Sequence, residues 1–194
     1  MPTILLVRHG RSALSWGTRR LTAVEFRAWV ENYQRHGIAG DSVPSDSLIA
    51  AARAAAVVVC SDVPRGVESA RRVAEGREVV ATPLLREAGS AMPGNWMGFR
   101  LSTTTWDWGF HYLWLCGLRP VGEPVHGTRQ RAREACTWLE SLAREQSPVL
   151  VVAHWTINRF LAAELRRRQW LGPRRPAGEN WGVTRYVRDA ASPG

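Results

Sequence analysis

Lysine is absent from this chain of 194 residues: all 26 basic positions are arginine, against 17 acidic ones, a formal charge of +9. Solvated helix surfaces accept either cation, so the missing lysine is a bias of composition and excludes no function. Cysteine is scarce as well. Cys60, Cys116 and Cys136 are odd in number and form neither a C-x-x-C pair nor a close Cys/His set. Neither a disulfide framework nor a zinc site is expected, and a reducing cytoplasm is the expected compartment. Long apolar runs are also missing, since Trp106 to Leu118 is too short to cross a bilayer and carries Asp107, Gly109 and His111. No membrane span is expected, and an opening Met1-Pro2-Thr3 without a basic n-region predicts no secretory leader. At 45% hydrophobic and 22% charged residues the composition is that of an ordinary folded chain. Its length suits one core, so a single domain over 1–194 is expected.

Basicity of this size raises the question of a polyanionic partner. The excess lies towards the C-terminus: eight arginines from Arg159 onward, among them Arg166-Arg167-Arg168 and Arg174-Arg175, face only Glu164, Glu179 and Asp189. No helix-turn-helix, zinc-finger or RNA-recognition pattern accompanies them. A solvated arginine-rich face is the simpler reading, and nucleic acid is not the expected ligand.

Thr3 to Val7 is a continuous apolar run of strand length, the pattern of a strand buried on both faces of a parallel sheet. Thr22, with Glu25 three residues on, predicts a capping box at the head of a helix to Arg35, which Gly37 ends. Asp46 or Ser47 is the expected cap of a short alanine-rich helix through Ala55, followed by a strand over Val57 to Val59. Pro64 opens a helix that closes near Gly76, and Val79 to Ala81 is a third strand. Leu84 to Glu87 reads as a further extended piece. From Ala88 to about Gly122 neither periodicity holds and Gly, Pro and Trp dominate, so this segment is expected to be an insertion or lid. A helix from about Gly127 to Arg144, a strand Val149 to Ala153, a helix Trp155 to Arg168 and a strand Gly182 to Val187 complete the chain. This alternation predicts an α/β fold, a three-layer sandwich with a mostly parallel central sheet and helices on both faces.

Chemistry in such sheets gathers at the carboxyl ends of the strands. Three apolar strands here deliver Arg8-His9, Cys60-Ser61-Asp62 and His154. An Arg and a His just past a buried strand offer a cationic fork for phosphate oxygens beside an imidazole, and Gly10 lets backbone approach a ligand closely. Arg65 falls on the first turn of a helix, where it can join the helix N-terminus in holding an anion. Glu87 sits just beyond a strand candidate, a position suited to proton transfer. Each has a plain structural explanation when taken singly.

Taken in this order, Arg8-His9-Gly10, Arg65, Glu87 and His154 resemble the histidine phosphatase superfamily, which includes cofactor-dependent phosphoglycerate mutases and many phosphomonoesterases. The resemblance runs from Thr3 to about Leu165. Pro120-Val121-Gly122-Glu123 is similar to the family's P-x-G-E stretch, with Pro124 where a Ser is usual and Trp155 where a Gly usually follows the second histidine. The resemblance implies His9 as the nucleophile that becomes phosphorylated, Arg8, Arg65 and His154 as holders of the phosphoryl group, and Glu87 as acid for the leaving group. It implies a phosphohistidine route without metal or cofactor, and a protonated His154 would complete the cradle.

Between Arg100 and Arg119 the only formal charge is Asp107, among Trp106, Trp108, Phe110, Tyr112 and Trp114. Such a segment has little to offer a second phosphate or a carboxylate and suits an aromatic or apolar group better. The expected partner is therefore a small phosphomonoester with an apolar or aromatic part. The same rings serve equally as core packing or as a homodimer contact. Phosphoglycerate mutase-type transfer and a non-catalytic phospho-ligand or nucleic-acid binding module stand as the alternatives.

Overall fold

The computed structural model describes residues 1–94, 98–118 and 120–189. Nine strands and six helices occur among them, beginning with β1 (Thr3–Arg8), β2 (Arg20–Leu21), α1 (Ala23–Arg35), α2 (Asp46–Ala54), β3 (Val57–Ser61), α3 (Pro64–Ala74) and β4 (Val80–Thr82). There follow β5 (Ser90–Ala91), β6 (Leu101–Ser102), α4 (Thr103–Leu115), β7 (Pro120–Val121), α5 (Val125–Glu145), β8 (Val149–Ala153), α6 (Trp155–Arg167) and β9 (Val183–Val187). Five strands form the central sheet in the order β4-β3-β8-β1-β9. The first four run parallel, and β9 lies antiparallel along the β1 edge, pairing Ile4 with Tyr186 and Leu6 with Thr184.

Alternation along the strands sorts their side chains into two layers. Ile4, Leu6, Val59, Val149, Val151 and Ala153 pack with Ala135, Leu139, Ile157 and Leu161 of α5 and α6. The intervening Val7, Val58, Cys60, Leu150 and Val152 face Leu48, Ala52, Ala70 and Val73 of α2 and α3. Both faces of β8 are fully buried, which explains its unbroken apolar run.

Several expectations meet the structure closely. The capping box of α1 is formed, with Thr22 Oγ1 accepting from Glu25 N–H and Glu25 accepting from Thr22 N–H. Others shift. The cap of α2 is Ser45, one residue before the expected pair, because its hydroxyl reaches Leu48 N–H. Leu84 to Glu87 is not a strand: Pro83–Leu85 forms a 3₁₀ turn, started by the fixed φ of Pro83 and the Thr82 hydroxyl accepting from Leu84 N–H. The segment expected to lack periodicity contains α4, capped by Ser102 Oγ on Thr105 N–H. Aromatics at every second position hid it, although only Trp106, Phe110 and Trp114 turn inward, against Leu21, Phe26, Trp29 and Tyr33. Trp96 and Arg119 lie outside the described residues. No described helix is long and apolar enough to cross a membrane.

Candidate active site

The strand β1 ends in Arg8, and the next residue, His9, is held in the sheet by its N–H on the Ala153 carbonyl at 2.9 Å. The His9 ring is buried, with Nδ1 2.6 Å from the Gly10 carbonyl. A carbonyl can only accept, so Nδ1 carries the proton and Nε2 keeps its lone pair. Burial, with Arg65 and Arg8 adding repulsion against the Gly10 bond, pushes the imidazole down to about 3. His9 is therefore neutral across the ordinary pH range. Gly10 has no room for a side chain, because a Cβ there would collide with the Trp181 indole.

His154, between β8 and α6, is fully buried with its ring centroid 4.9 Å from that of His9. Neither of its ring nitrogens has a hydrogen-bond partner among the described residues. Burial first, then His9, Arg65 and Arg8, hold it well below the ordinary histidine range. The charge expected on His154 is thus disfavoured in the free site.

Arg65 is placed by α3, whose Pro64 sits at the first helical position. Its side chain is buried, with both terminal nitrogens 3.1 Å from Gln34 Oε1 and the guanidinium carbon 4.6 Å above the Tyr33 ring. Ser69, one turn on, accepts from Gly10 N–H at 2.9 Å and donates to the Arg65 carbonyl at 2.6 Å, tying the helix to the turn after β1. Arg8 donates through Nη1 to the Gly178 carbonyl. The Nε atoms of Arg8 and Arg65 are buried without a partner among the described residues.

Glu87 reaches the N-terminus of α6. Its carboxylate accepts from Ile157 N–H at 3.0 Å and Thr156 N–H at 3.3 Å, and from Ala88 N–H at 2.9 Å, so the helix dipole and the acid complement one another. The segment is clamped from behind by Arg131, which donates to the carbonyls of Leu84, Arg86 and Glu87 while paired with Glu123 at 2.6 Å.

Arg8, His9, Arg65 and Glu87 line one cavity of about 330 Å³, with His154 against His9. All five residues singled out in the sequence are therefore brought together. Tyr33, under the Arg65 guanidinium, lines the cavity too, with Trp16, Phe26, Trp108, Trp155, Asp107 and His111. Of the aromatic run in α4, only Trp108 lines the cavity, since Tyr112 faces solvent and the others pack in the core. Sequence reasoning missed Ser69, Gln34, Arg131, Asp107 and Asn180, whose side-chain amide donates to the His9 carbonyl at 2.9 Å. None of these carries a local motif. Among the described residues no group of three His, Cys, Asp or Glu side chains could hold a metal ion.

The structure resembles a phosphoserine phosphatase from Entamoeba histolytica solved with phosphoserine, with a TM-score of 0.61 and 13% identity over 98% of this chain and 92% of that one. It likewise resembles a mycobacterial glucosyl-3-phosphoglycerate phosphatase, with a TM-score of 0.59 and 21% identity over 95% and 89% of the two chains. No curated protein matches the sequence at a significant level. The family model for the histidine phosphatase superfamily, branch 1, matches residues 47–193. That span takes in Arg65, Glu87 and His154, and the fold sets Arg8 and His9 beside them. By that match and this sheet, the chain belongs to the histidine phosphatase superfamily.

Proposed function

We propose that the protein hydrolyses phosphomonoesters through a phosphohistidine at His9, without a metal ion. The observation that carries this reading is the Nδ1 to Gly10 carbonyl bond, which leaves a neutral imidazole with its Nε2 lone pair available beside two arginines. Nε2 attacks phosphorus, a P–N bond forms and the ester P–O bond breaks. The phosphoryl oxygens take hydrogen bonds from Arg8, Arg65 and His154; the Nε atoms of the two arginines and both ring nitrogens of His154 are buried with no partner among the described residues. A bound dianion also favours the protonated form of His154. Glu87 gives a proton to the departing oxygen and then takes one from the water that attacks phosphorus and frees His9. Nothing in the described lining supplies a further cation for a carboxylate or a second phosphate, which favours hydrolysis of a small ester with an apolar or aromatic part over mutase-type transfer.

The test is brief exposure to an aryl phosphate followed by acid-free mass spectrometry. An acid-labile phosphoryl group is expected on His9, and His9→Ala is expected to lose the mark and at least about a thousandfold in turnover. Ordinary turnover by His9→Ala would refute the assignment. Salt-sensitive binding of nucleic acid that survives this substitution, with no hydrolysis, would instead favour the non-catalytic binding module.

A further inference from the structure

The helix α4 carries two stripes. Thr103, Trp106, Phe110 and Trp114 enter the core, whereas Thr104, Asp107, Trp108 and His111, at the complementary helical spacing, line the cavity. Glu87 is matched by three backbone amides. Asp107 is not: no described residue donates to its carboxylate or pairs with it. Burial, and Glu87 nearby, carry it up to about 6, so at neutral pH it is still largely an anion. A half-buried carboxylate with no partner among the described residues is costly to keep.

The cavity lining carries two arginines and two carboxylates. Arg8 and Arg65 balance a phosphoryl dianion. Glu87 and Asp107 are the carboxylates; Glu87 feels Arg65, whereas no cation among the described lining residues acts on Asp107. His111 adds none, because burial holds it below the ordinary histidine range. Arg159 stacks on the Trp155 ring at 4.7 Å and is not among the lining residues. Trp16 and Trp108 present aromatic surface to the same space, and ring faces attract cations, most strongly when the cation is desolvated.

We propose that this cavity selects phosphomonoesters whose organic part ends in an ammonium group, with Asp107 as its counter-ion and the rings of Trp16 and Trp108 as its walls. The assignment rests on the hydrolytic reading above and narrows its substrate class.

Phosphocholine and its neutral isostere 3,3-dimethylbutyl phosphate separate charge from shape, and an aryl phosphate reports on the chemistry alone. For the full chain at neutral pH, kcat/KM is expected to be at least about tenfold higher for phosphocholine, and D107N to bring the ratio close to one. Equal use of the pair by the unsubstituted chain overturns the proposal, whether or not the variant folds. Loss of both alkyl esters in D107N with their ratio kept overturns it as well, and makes Asp107 a proton donor. Failure to turn over the aryl phosphate breaks the hydrolytic reading instead. Calorimetric titration with the same pair then decides the selectivity independently, equal affinities overturning it.

Discussion

A single proton on one nitrogen decides what His9 can do. Its bond to the Gly10 carbonyl fixes the tautomer, and burial keeps the ring neutral, so reactivity should not switch off near pH 6.5 as it would for an exposed histidine. Arg65 is held by geometry as much as by charge, since both terminal nitrogens rest on Gln34 and the plane lies over Tyr33. Arg65→Lys keeps a cation but loses the fork, and is expected to lower kcat/KM for an aryl phosphate by about a hundredfold with the fold intact by circular dichroism. Asp107 sets a second expectation. Its carboxyl lies at about 6, so the preference for a cationic ester should fade as pH drops through that value. The other titratable and charged groups that line the cavity with it are Arg8, His9, Tyr33, Arg65, Glu87 and His111, Glu87 acting on it directly. The pH profile of the phosphocholine-to-isostere ratio checks this, because titration of the shared cradle cancels in it.

Elements differ in how openly they declare themselves. The strands β1, β3 and β8 were legible because burial on both faces demands unbroken apolar residues, and the polar residue at each end announces itself by contrast. The capping box of α1 was equally plain, being a local device four residues long. By contrast, α4 was illegible: its inner and outer faces are both aromatic, so no amphipathic stripe separates core from cavity. Trp106 shows which face is structural. Its indole is buried against Phe26 and Phe110, and its N–H donates to the Leu21 carbonyl at 2.8 Å. Trp106→Ala is expected to cost about 3–5 kcal/mol in denaturant unfolding, leaving a cavity and an unmatched carbonyl. The five site residues were readable as ends of elements, whereas Ser69, Gln34, Arg131 and Asn180 act through contacts between distant segments that no local pattern encodes.

For the molecule as a whole, two buried imidazoles tie stability to pH. Both are depressed below the ordinary histidine value on folding, so the unfolded chain binds protons that the folded chain refuses. Their contribution is fully present above about pH 6.5 and is lost as pH falls from there towards the folded values, about 3 for His9. The urea midpoint is therefore expected to drop between pH 7 and pH 5, and H154N to flatten that drop. The bracing of His9 has a further consequence. Gly178, Asn180 and Trp181 secure Arg8, the His9 carbonyl and the Gly10 turn, and β9 closes the sheet beside them. His9 and Asn180 stand 171 positions apart, so the imidazole takes up its place only once the edge strand has docked on β1, and a species without that edge is expected to show no phosphatase activity.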